Sequence, residues 1–170
     1  MILNAFTLFH VALSLAGILS GLVVMFGLLT SQRFDRWTAV FLATTLITSL
    51  TGFLFPFHGF KPSYAVGVLS VILLALAIGA RYRFQLEGGW RRTYVLTAVA
   101  SLYFNVFVLI AQSFEKVPAL NALGAMGTAF KVTQAVTLVA FVVLGYFAAA
   151  RFHVSPALGR AQAVRKAAAS

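Results

Sequence analysis

The stretch Ala5–Leu29, AFTLFHVALSLAGILSGLVVMFGLL, runs for 25 residues without a formally charged side chain. A helix rises about 1.5 Å per residue and the hydrocarbon core of a bilayer is about 30 Å thick, so about 20 apolar residues suffice to cross it. This stretch is therefore read as a transmembrane helix. It lacks a basic leader, its apolar run is too long for a signal peptide, and no A-x-A-like cleavage site follows, so it is expected to be a retained anchor. Four further runs follow the same pattern: Trp37–Phe55, Tyr64–Tyr82, Thr93–Gln112 and Val132–Arg151. The expected fold is all-α, a five-span polytopic helix bundle over residues 1–151 with a basic tail over 152–170.

Composition agrees with that class. Of the 170 residues 61% are hydrophobic and only 9% are charged, with a mean hydropathy of +0.96, whereas soluble domains are about a quarter charged. A net charge of +10 and a pI near 11.0 would suggest nucleic acid in a soluble chain. Here the basic residues fall in the gaps between apolar runs, so they are read as topology, with no nucleic-acid partner. Arg33 and Arg36 follow the first span, Arg81, Arg83, Arg91 and Arg92 the third, and Arg151, Arg160, Arg165 and Lys166 the last. Only Lys61, Lys116 and Lys131 lie on the other side. The positive-inside rule then places the N-terminus outside and the C-terminus in the cytoplasm, in a bacterial inner membrane, with the basic face toward anionic lipid headgroups. Trp37, Tyr82, Trp90 and Tyr94 fall at the expected inner boundary and Tyr64 at the outer one, where interfacial aromatics belong. The absence of Cys removes disulfides and thiol chemistry but indicates no compartment.

The connections are short, so consecutive spans should be antiparallel neighbours. Pro56 stops the second run, Pro62 can begin the third, and Gly88-Gly89 marks the turn before the fourth. The longest connection, Ser113–Lys131, holds Pro118, Gly124 and Gly127. Its middle, Val117–Leu123, reads as a short interfacial helix within a surface lid; the sharper alternative is a re-entrant loop, whose backbone would need burial or pairing. The tail either forms a surface helix on anionic lipid, at about 1 kcal/mol per Lys/Arg, or has no fixed structure.

Inside lipid the informative residues are the polar ones. At 100° per residue the fourth span gathers Tyr94, Thr97, Ser101, Asn105, Gln112, Glu115 and Lys116 within a sector of about 100°. The first span has a matching face of Thr7, His10, Ser14, Gly17 and Gly21, and its Gly17-x-x-x-Gly21 spacing permits close approach of a neighbour. The second span contributes Thr44, Thr48 and Thr51, and the fifth Gln134, Thr137, Gly145 and Ala148. The third, with Ser70 alone between Tyr64 and Arg81, is expected to be peripheral. Two readings compete for these faces. Ser14, Gly17, Gly21 and Gly145 suit helix packing. His10, Thr48, His58, Asn105, Gln112, Glu115, Lys116 and Gln134 would line a polar crevice, open to the outside, that binds or passes a small solute.

His10 and His58 both fall near the outer leaflet on neighbouring spans. A haem b held by the pair, or a metal, is the sharp reading; a histidine hydrogen-bonded to its neighbour is the bland one. No metal site or cofactor is predicted. No carboxylate lies at mid-membrane, and no G-x-S-x-G, H-E-x-x-H or Walker A pattern occurs, so an enzyme has no positive support.

The run Tyr103-Phe104-Asn105-Val106-Phe107-Val108, with Gln112, Phe114, Lys116-Val117-Pro118, Leu120, Phe130 and Gln134, resembles a family of small bacterial inner-membrane proteins without an assigned activity. The similar region covers about the C-terminal half. Gly124-Ala125-Met126-Gly127-Thr128-Ala129 departs from the more Pro-rich segment of that family, and no functional residue carries over. The expected functions are a solute-binding or permeation protein, or a non-catalytic accessory subunit with a membrane-protein partner or a second copy. An outer-leaflet haem or quinone protein is a more distant alternative.

Overall fold

An apolar run in lipid must satisfy its backbone hydrogen bonds internally, and a helix does so within one segment. A computed structural model describes residues 2–55, 62–153 and 168, with side chains placed at 5–55, 65–153 and 168. The chain forms α1 (Ile2–Leu29), α2 (Asp35–Gly52), α3 (Pro62–Ile78), a π-helical turn (Gly79–Arg83), α4 (Trp90–Lys116), α5 (Pro118–Asn121) and α6 (Thr128–Arg151). Among the described residues there is no strand.

Four helical stretches are long and apolar enough to cross a membrane: Ala5–Leu29, Ala65–Arg83, Trp90–Lys116 and Thr128–Arg151. The chain is thus a helical bundle of multi-pass membrane type. Helix α2 is not among the four. It has 18 residues, begins with Asp35 and Arg36, and carries Thr38, Thr44, Thr45, Thr48, Ser49 and Thr51, which dilute its apolar content. It nevertheless runs along α1 and packs against α3 as well.

Helix α4 lies at the centre, against α1, α3 and α6. Its Tyr94, Val95, Ala98 and Leu102 meet Val24 and Leu28 of α1, Phe41 and Leu42 of α2, and Leu74 and Ala77 of α3 in one buried cluster. Lipid tails are as apolar as these side chains, so the cluster holds through close packing rather than through exclusion of water. Gly21 shows how close that packing is. A Cβ there would lie 2.5 Å from Leu102 Cδ1 and 2.9 Å from Phe41 Cε2. Gly17 likewise faces Thr44, Thr45 and Asn105, so both glycines admit side chains of α2 and α4.

The peripheral helix is α6, not α3. Only 17% of the α6 span is buried, against 28% for α3, 39% for α4 and 44% for α1. The apolar α3 buries Ser70, Leu74 and Ala77 on small side chains, whereas α6 buries Gln134, Gly145 and Ala148 and leaves Val132, Val136, Val139 and Val142 exposed. A shortage of polar residues does not make a membrane helix peripheral, because apolar shape fits neighbours equally well. The packed body also continues past Arg151, with Phe152 only 1% exposed.

Gly21→Ala should therefore lower bundle stability by about 1–3 kcal/mol through overpacking. Gly79→Ala, where a Cβ would meet nothing within 4 Å, should be tolerated. Thermal unfolding of the two variants in one detergent compares them directly.

Candidate functional site

The polar stripe on α4 has two halves separated by a junction. At its middle, Asn105 Nδ2 donates to Thr45 Oγ1 at 3.1 Å, with Thr45 fully buried and Gly17 of α1 closing the third side. Three helices thus meet on one side-chain hydrogen bond, of a kind typically below about 1 kcal/mol in a membrane. From the junction toward α4's first turn, Ser101 donates to the Thr97 carbonyl at 2.8 Å and Thr97 to the Thr93 carbonyl at 2.7 Å. These hydroxyls satisfy themselves on their own helix.

The other half holds most of the expected crevice residues. His10 Nδ1 lies 2.9 Å from Thr51 Oγ1. The Thr51 hydroxyl also lies 2.7 Å from the Ile47 carbonyl one turn back on α2, and the direction of its contact with His10 follows the imidazole tautomer. The imidazole also meets Phe55 edge-on at 5.1 Å, and Ser14 donates to the His10 carbonyl at 3.0 Å. Gln134 Nε2 donates across to the Phe107 carbonyl of α4 at 3.0 Å.

Three buried oxygens in this polar set have no partner: Thr48 Oγ1, Gln112 Oε1 and Gln134 Oε1. Leaving such a group unpaired in a low dielectric costs about 1–3 kcal/mol, so the two glutamine oxygens call for a donor and the Thr48 hydroxyl for a partner of either kind. Glu115 and Lys116 are exposed at the end of α4, where Asn121 Nδ2 reaches the Phe114 carbonyl at 3.3 Å and the Glu115 carbonyl at 3.2 Å. His58 lies outside the described residues, as do Lys61 and the side chain of Tyr64. Among the described residues no three His, Asp or Glu side chains gather as metal ligands. Gly145 is buried in the α4–α6 contact, where a Cβ would stand 3.3 Å from Val99 Cγ1.

Sequence reasoning missed the opposite end, where the arginines collect. Arg81 is 4% exposed. Its guanidinium donates to Asp35 Oδ1 and lies 5.1 Å from the centre of the Tyr94 ring, while Tyr94 donates to Thr38 Oγ1 at 3.5 Å. Arg33 Nε stands 3.6 Å from the same carboxylate oxygen. Val24, Leu28, Thr38, Tyr94 and Phe152 surround the cluster so closely that no water fits among them. Tyr94 is thus a core residue beneath Arg81, while Trp37 and Tyr82 are exposed as interfacial aromatics would be. Two contacts close the end: Arg91 donates to the Phe152 carbonyl, and Ser31 exchanges hydrogen bonds with the His153 backbone at 3.1 and 2.9 Å. The available signal was a lone Asp among basic loops and an Arg at the next-to-last position of an apolar run.

Removing the carboxylate leaves a buried guanidinium without its counter-charge. Because Asp35 itself is largely exposed, Asp35→Asn should cost about 1–3 kcal/mol rather than the larger penalty of a fully buried pair. Arg81→Met in the same background should recover part of that loss, as a double-mutant cycle by thermal unfolding would show. Comparisons with protein-family models, curated proteins and solved structures return no match, so the site is interpreted from its own geometry.

Proposed function

We propose that the chain is a five-span protein of the bacterial inner membrane that binds a small hydrogen-bond-donating solute in the half of the bundle away from the arginines. The observation that carries this reading is the trio of buried, unpartnered oxygens on Thr48, Gln112 and Gln134. A solute with N–H or O–H groups supplies what they lack. The Asn105–Thr45 junction stands across the middle of the stripe, which favours binding over passage. Support for the fifth span comes from α2, whose Thr38 reaches Tyr94 near one end of α4 and whose Thr51 reaches His10 in the first third of α1. The N-terminus is outside and the C-terminus cytoplasmic, on the uneven division of basic residues.

A second reading is an accessory subunit, favoured by the long apolar face of α6, where Val136, Val139 and Val142 are each more than 60% exposed. That face suits a partner helix or a second copy, with lipid as the other occupant. Its basic end meets anionic headgroups.

The chain has no Cys, so single cysteines report cleanly. An impermeant maleimide applied to intact spheroplasts should label Ala122→Cys and leave Gln85→Cys and Ser31→Cys unlabelled until lysis; the reverse pattern overturns the topology. Gln112→Leu separates the two functional readings. Under the solute reading, one or more of acetamide, glycerol or ammonium raises the melting temperature of the unsubstituted protein, and the substitution removes that rise. If none does, and Gln112→Leu is simply more stable by about 1 kcal/mol or more, the oxygens are structural and the accessory reading stands.

A further inference from the structure

The turn between α3 and α4 is pinned by two backbone hydrogen bonds and one buried leucine. Phe84 N–H closes on the Gly79 carbonyl at 3.0 Å and Leu86 N–H on the Ala80 carbonyl at 3.0 Å, which ends the π-helical turn. Gln85 (φ 50°), Leu86 (φ 62°) and Gly88 (φ 52°) are left-handed. For the two non-glycine residues that conformation costs about 1–2 kcal/mol each. Leu86, 4% exposed, plugs the core and holds the turn down.

Outside that plug lies a depression of about 280 Å³ lined by Arg83, Phe84, Gln85, Glu87 and Trp90. That volume is just below the range of pockets for drug-sized ligands, which leaves room for a headgroup-sized group. Phe84 and Trp90 stack at 3.9 Å with planes 3° apart and form one apolar wall. Gln85 is tied back to the Tyr82 carbonyl at 2.7 Å. Arg83 and Glu87 are four residues apart and of opposite sign, a spacing that pairs side chains on a continuous helix. The left-handed residues between them break that geometry, and no ion pair within 4.0 Å joins them. A cation and an anion therefore face one depression while unpaired, at the end of two membrane-crossing helices.

We propose that this depression binds the phosphoethanolamine headgroup of a zwitterionic lipid. Arg83 holds the phosphate, a match of guanidinium to oxyanion that forms two parallel hydrogen bonds. Glu87 accepts from the ammonium group, which has three N–H donors. The Phe84–Trp90 wall lies between the end of the Ala65–Arg83 span and the start of the Trp90–Lys116 span, which two helices crossing a bilayer would bring to the headgroups, where Trp is favoured. Phosphatidylcholine offers no donor to Glu87, and an anionic headgroup such as phosphoglycerol leaves the carboxylate without a counter-charge beside a second anion. The charge pattern thus selects ethanolamine rather than the acidic lipid that the net charge alone would favour. This site is at the opposite end from the proposed solute site and does not depend on it.

The test is native mass spectrometry of the full chain from mixed micelles holding phosphatidylethanolamine, phosphatidylcholine and phosphatidylglycerol of one acyl composition. Phosphatidylethanolamine should be retained first. Glu87→Gln should lower its retention relative to phosphatidylglycerol by about tenfold, the equivalent of one charge-assisted hydrogen bond, and Arg83→Gln should weaken both lipids. Both side chains are exposed, so neither change removes a core contact. The protein has two Trp, and in a Trp37→Phe background Trp90 emission should shift on addition of phosphatidylethanolamine. Equal retention of the three lipids, preference for phosphatidylglycerol, an unchanged lipid order in Glu87→Gln, or unshifted Trp90 emission would each overturn the assignment.

Discussion

The Arg81–Asp35 contact is the charged interaction on which one whole end of this bundle depends. Asp35 opens α2, Arg81 sits in the π-helical turn that ends α3, and the guanidinium lies over Tyr94 of α4, so one charge joins three helices. A guanidinium this buried is tolerated only when paired, which fixes the register of α2 against α3. The rest of that end follows from it. Tyr94, held beneath Arg81, packs beside Phe152, and Phe152 offers its carbonyl to Arg91, so the end of α6 is drawn onto the start of α4.

The polar residues divide according to how they meet the demand that lipid places on every donor and acceptor. Thr44, Thr97, Ser101, Ser113 and Thr137 donate to carbonyls one turn back on their own helices and need no neighbour. Asn105, His10 and Gln134 cannot do so with their larger groups, and each reaches another helix. Such contacts specify which helices meet more than they hold them, since each is typically worth below about 1 kcal/mol. The larger contribution comes from shape, as at Gly21 between Phe41 and Leu102.

That division explains what was legible in the sequence. Helical class and the apolar runs follow from length and hydropathy, which depend on neighbouring residues alone. The stripe on α4 was visible through its 3.6-residue period, as was the small-residue face of α1. Partners across helices were not, because one sequence gives the direction of a side chain on its own helix and not which helix stands opposite. Arg81 read as a topological charge although it is the most deeply buried cation described, and Tyr94 read as interfacial although it is core. Both were read from their place at the end of an apolar run, where basic and aromatic residues usually face headgroups. At 100° per residue Arg81 falls on the face of α3 that buries Ser70, Leu74 and Ala77, with Tyr82 and Arg83 turned away, so the direction was available and the burying neighbours were not.

The two ends of the bundle are consequently unequal in a way that bears on what it can do. Near the arginines, Arg81 is paired with Asp35 and Arg91 with the Phe152 carbonyl, Arg33 Nε is buried without a hydrogen bond 3.6 Å from Asp35, and no water fits beside Arg81. Beyond the Asn105 junction, two glutamine oxygens and a threonine hydroxyl are buried and unpaired, and no charged pair joins the helices among the described residues. Local opening is easiest where the fewest contacts must break. Opening is therefore easier at the His10 end than at the junction, where a Cβ on Gly17 would already stand 3.1 Å from Thr45 Oγ1.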